Sequence, residues 1–185
     1  MAYGVVDVPH VLRAAPVLDR TGTMELVRKT FPEAQIDGAG DALLADSLDP
    51  ADGMAYVGCF PDLDLVCSWL LMGERPSEAV NGRRSPQRPH TYLHSLDLAT
   101  KWCAFAVWCD GNLVRSLSVS PRRVYEDLGD PLPFEAPFRS GKREPDPVAL
   151  GEEALYAFFG FRLEPADTVD DVDPEVIPLV GYRIS

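Results

Sequence analysis

The feature that most constrains this fold is a hairpin near the middle of the chain. Trp102 to Cys109 (WCAFAVWC) and Asn112 to Val119 (NLVRSLSV) flank Asp110-Gly111. Asp-Gly supplies the positive φ angles of a tight type I′ turn, so the two runs pair as antiparallel strands. Both faces of the first run are apolar, which predicts a strand in the middle of a sheet and covered on both sides. A two-residue turn sets Trp108 opposite Leu113, Ala106 opposite Arg115, Ala104 opposite Leu117 and Trp102 opposite Val119. In that register Arg115 shares a face with the two Trp. It then needs a carboxylate, a carbonyl or a ligand anion as partner.

The flanking segments read as cover for this hairpin. Strands are expected at Tyr3–Val8, Met54–Phe60, Thr91–Leu98 and Leu179–Ile184. Leu63–Met72 fits either a strand or a buried helix, since a continuous apolar run hides its period. Met24, Val27 and Phe31 share one face of a helix, and Asp146-Pro147 caps another that runs to Gly160. Asp7 is expected to cap the short helix after Pro9, and Pro76 opens another short one ending near Gly82. Ile36–Gly53 and Pro121–Pro147 read as irregular, the latter anchored by Phe134 and Phe138. These elements make one α+β domain over residues 1–185: a mostly antiparallel sheet of about five or six strands with helices packed against it.

Charge narrows the function classes. The chain of 185 residues has a formal net charge of -12, which disfavours nucleic acid and anionic lipid as partners. Residues 75–143 nevertheless carry 11 basic against 7 acidic side chains. Arg115 and the loop residues Arg83, Arg84, Arg88, Arg122 and Arg123 are thus the candidate binding set for a protein partner or a small anionic ligand. Four cysteines without a C-x-x-C pair, no leader and no long apolar run predict a reduced cytoplasmic protein with no membrane partner.

Catalytic signals are thin. His94 with Asp97 and one of Ser116, Ser118, Ser120 or Cys103 would make a nucleophile set, but no G-x-S-x-G elbow is present. His90 and His94 have zinc-helix spacing without the glutamate, and in a strand they stand about 13 Å apart. The acidic run before Glu175 lacks the glycine and glutamate of a calcium loop, and Asp173-Pro174 reads as a helix cap. No metal or cofactor is expected. The reading is a non-catalytic binding or regulatory protein, the alternative a small hydrolase or transferase using His94, Asp97 and Arg115.

The stretch WCAFAVWCDGNLVRSLSVSP resembles an uncharacterised actinobacterial family, a domain of unknown function sharing W-x-AFAVW and G-x-LVRSLS-x-SP. Glu74–Glu78 (ERPSE), Leu150–Phe161 (LGEEALYAFFGF) and Leu179–Ile184 (LVGYRI) extend the resemblance over most of the chain from about Tyr56. It implies no activity, cofactor or catalytic residue.

Overall fold

The computed structural model describes residues 2–4, 7–79, 88–139, 146–163 and 171–185. Gly82, Arg83, Arg84 and the start of the acidic run lie outside them, as does the middle of the expected first strand. Among the described residues nine strands form in chain order: β1 (Ala2–Gly4), β2 (Ile36–Leu43), β3 (Met54–Phe60), β4 (Leu63–Cys67), β5 (His90–Asp97), β6 (Trp102–Cys109), β7 (Asn112–Ser120), β8 (Arg123–Gly129) and β9 (Pro178–Ile184). The helices are α1 (Val8–Arg13), α2 (Arg20–Thr30), α3 (Ala136–Arg139) and α4 (Pro147–Phe159).

The expected sheet of five or six strands is corrected. Two four-stranded antiparallel sheets, β2-β9-β3-β4 and β5-β6-β7-β8, are joined by three-residue β1, which pairs with both β4 and β5 and makes the strand order continuous over all nine. The α+β class stands. The extra strands are edges: β2 and β8 are mostly exposed and carry glycines or charges where a buried strand would alternate. In the other direction, the run after Leu63 is strand only to Cys67 and then turns into a 3-10 helix, Trp69–Leu71.

Alternation along the strands builds a core on each face. Phe105 and Leu117 pack beneath α1 and α4, while Ala106, Trp108 and Val57 pack towards α2. Each such side chain taken from water contributes roughly 1.5–3 kcal/mol. Helix α4 starts as its sequence demands: Asp146 accepts from Val148 N and Ala149 N at 3.1 and 3.3 Å, and Gly160 ends it with φ 80°. Leu150, Ala154, Leu155, Phe158 and Phe159 form its buried face. Gly151 sits so close to the sheet that a Cβ there would lie 2.8 Å from Leu96 Cδ1, so the missing side chain is what lets α4 approach β5. Phe134 packs edge-on to Phe105 and Phe158, with centroids 5.4 and 5.5 Å away, and pins the segment after β8 to this core.

The central hairpin forms with Asp110 and Gly111 at φ 49° and 78°, but its register is not the regular one. Trp108 faces Leu113 while Val107 faces Arg115, so Val114 is an extra residue, a β-bulge. Every side chain from Arg115 to Val119 therefore changes face. The expected pairing of Arg115 with Ala106 on the Trp face is overturned; Arg115 points to the α4 side. Gly129 accommodates the bulge: at φ 80° its backbone lies where a Cβ would meet Val114 O at 2.0 Å.

Candidate functional site

Arg115 is wholly buried, and each of its nitrogens is engaged from within the chain. Nε and Nη2 donate to the two Glu135 oxygens at 2.8 and 2.7 Å, a bidentate pair. Nη1 donates to Asp127 Oδ1 at 2.6 Å and to Leu128 O at 2.9 Å. Arg139 closes the cluster with bonds to Glu135 at 3.2 Å and Asp127 at 3.0 Å. Burial lowers the Arg115 pKa, but the bonds to Glu135 and Asp127 outweigh it and the net shift is upward. The same contacts outweigh desolvation at Asp127 and pull its carboxyl down. Arg115 thus fastens α3 and the turn before it to β7 and β8. Glu135 and Asp127 are the partners that the sequence reading missed; the signal was the acid content of a segment read only as a wrap.

The remaining candidates do not converge. Arg88 clamps the β3–β4 turn through Phe60 O and Pro61 O at 2.8 and 2.7 Å, and pairs with Asp64 at 3.4 Å. Arg122 and Arg123 lie at the β7–β8 turn, and Arg123 stacks over the Tyr125 ring at 4.8 Å. That turn and Arg88 stand at opposite ends of the eight-residue β5, about 25 Å apart. Ser116 Oγ donates to Glu126, which also accepts from Ser77 Oγ at 2.7 Å, and Ser118 Oγ accepts from Trp102 Nε1 at 3.0 Å. Asp97 spends both oxygens on its own turn, accepting from Ala99 N, Thr100 N and Thr100 Oγ1. Its odd spacing from His94 puts the two on opposite faces of β5. All four cysteines are free, and burial pushes Cys103 up to about 12, away from thiolate chemistry. Among the described residues no group of three His, Cys, Asp or Glu is placed to hold a metal ion.

His94 is the exception, and it lies in the gap beside the junction of β4, β1 and β5. Ala2 pairs with Leu65 of β4 and Tyr92 of β5. Beyond that point, among the described residues, no strand lies between Cys67 and the Leu93–Leu96 edge. A cavity of about 120 Å³ occupies this slot. Leu65 and Cys67 wall one side, Leu93 and Leu96 the other, and Leu155 and Phe159 of α4 close one face. Trp69 Nε1 donates to Asp49 Oδ1 at 3.1 Å, tying the 3-10 turn to the loop that shares the rim.

Two polar groups on this wall are left with bonding capacity. His94 Nε2 lies 2.9 Å from Gly151 O, and a carbonyl only accepts, so Nε2 carries the proton. Nδ1 is then a bare acceptor with no partner among the described residues. Burial drives the His94 pKa down to about 4, with the Gly151 bond opposing it only in part, so the ring is neutral at physiological pH. Beside it Ser95, 5% exposed, has a buried Oγ without a hydrogen-bond partner. Ser68, also on the wall, is by contrast satisfied, donating to Met54 O at 2.9 Å. His94 was legible as a candidate; Ser95 was not, because only the unfilled slot distinguishes it from other strand serines.

Among the described residues no helix is long and apolar enough to cross a membrane. No curated protein and no solved structure matches the chain. It does match, over residues 1–182, a family of unknown function, DUF6928, and belongs to that family.

Proposed function

We propose that this protein is a non-catalytic binding protein that holds a small ligand in the slot between its two sheets. The observation that carries the reading is the cavity beside His94, where an apolar wall surrounds a neutral imidazole with a free acceptor nitrogen. Few polar groups on an apolar wall fix orientation without reacting. A hydrolase or transferase would need His94, Asp97 and Arg115 together, whereas Asp97 caps a turn on the other face and Arg115 is saturated by Glu135 and Asp127. An anion at Arg115 would have to displace those carboxylates. The test is native mass spectrometry of protein purified from its own cells, alongside Cys67→Phe, which fills the slot. A retained small molecule that Cys67→Phe loses supports the reading; wild type and variant without any bound mass contradict it.

A protein partner is the second reading, supported by the unpaired edge of β8, where Val124 and Leu128 are 56% and 45% exposed. A stoichiometric protein in the same purification, lost on Val124→Lys, would favour it.

A further inference from the structure

We infer that the slot selects a neutral, single-ring molecule bearing a hydroxyl or N–H donor, of phenol or pyrrole type, whose donor bonds to His94 Nδ1. This deepens the small-ligand reading above and rests on it. Size sets the first guide: about 120 Å³ is close to the 150 Å³ at which an apolar protein cavity takes benzene, so the slot accommodates one ring. The wall sets the second. Leucines and Phe159 repay transfer of an apolar ring from water and offer a polar head nothing except at His94 and Ser95.

Tautomer sets the third limit and makes the ligand class specific. Because Nε2–H is committed to Gly151 O, the ring cannot donate to the ligand; it can only accept. A ketone or ether would leave Nδ1 unpaired, whereas a hydroxyl or ring N–H satisfies it. Among the described residues no Lys or Arg lines the cavity, so no described side chain there offers a carboxylate a counter-charge. Ser95 Oγ, also unpaired, lines the same slot from the opposite face of β5 and so does not share the head bound at His94.

The ranking of three probes of one shape tests this: phenol, toluene and benzoate, titrated into the full chain by methyl and imidazole NMR. A purely apolar cavity prefers toluene, because phenol must shed the water on its hydroxyl. The inference requires the reverse: phenol tighter than toluene by a factor on the order of ten, benzoate not bound, and a shift of the His94 Nδ1 resonance with phenol alone. His94→Phe keeps the volume and should restore the preference for toluene. Should that variant not fold, the wild-type ranking and the Nδ1 shift decide by themselves. Toluene at or above phenol in the wild type, or benzoate binding best, overturns the inference while leaving a small-ligand slot. Entry of none of the three overturns both.

Discussion

The Arg115 cluster and the His94 slot are both polar groups set among apolar side chains, and they are opposite solutions to the same problem. At Arg115 each guanidinium nitrogen finds a carboxylate or carbonyl of the chain itself, and Arg139 completes the pairing. At His94 the chain supplies one bond, from Nε2 to Gly151 O, and leaves Nδ1 and the Ser95 hydroxyl open beside a cavity. A buried charge without partners is too costly to keep, so charge is spent on architecture; a neutral ring tolerates a missing partner and can wait for a ligand. Arg115 and Arg88, which invite a binding role from sequence, therefore hold the fold together.

The largest expected effect breaks the saturated side. Glu135→Ala strands Arg115 in the core and should cost about 3–5 kcal/mol in urea unfolding, while removing the half-exposed Arg139 should cost under about 1 kcal/mol. Equal losses for the two would mean that the cluster is not organised around a buried pair.

Next comes pH, acting on the open side. The folded His94 pKa of about 4 lies below the ordinary imidazole value of 6.5, so above pH 6.5 both states are neutral and stability is at its full value. As pH falls from 6.5 towards 4 the unfolded chain takes up a proton that the fold refuses, and stability drops by up to about 3 kcal/mol. His94→Gln should remove that part of the slope. An unchanged slope in the variant would show that other groups carry it.

Gly151→Ala sharpens the geometry between these limits. Its methyl would meet Leu96 Cδ1 at 2.8 Å and Cys103 Cβ at 3.1 Å, pushing α4 off β5 at a cost of about 1–3 kcal/mol and lengthening the His94 bond. Urea unfolding of the variant reads that loss. The smallest effect belongs to Ser95→Ala: with no bond to lose, it should be neutral or stabilising by up to about 1 kcal/mol, and a loss above that would reveal a hidden partner.

Local chemistry was legible in the chain where one short stretch carries the whole signal. Asp110-Gly111 announced the hairpin turn, Asp146-Pro147 and Gly160 bounded α4, and Asp173 caps the 3-10 turn Pro174–Val176. Edge strands were not legible, because β2 (IDGAGDAL) and β8 (RVYEDLG) bury too little to impose alternation. Nor was the bulge at Val114, which depends on Gly129 lying beside its carbonyl fifteen residues later. That single inserted residue moved Arg115 to the other face and so decided its partners. The slot was the least legible feature, since it lies between β4 and β5, which are distant in sequence and are brought together only through β1.

The contrast between a saturated charge and an open neutral ring is tested most directly by the protonation state of His94 in the free protein, read from its imidazole ¹⁵N resonances through a pH titration. At about pH 5 the ring should still be neutral, with the proton on Nε2 and Nδ1 bare. An imidazolium at that pH, or a neutral ring with its proton on Nδ1, would contradict the account, because the slot would then present a donor where an acceptor is required.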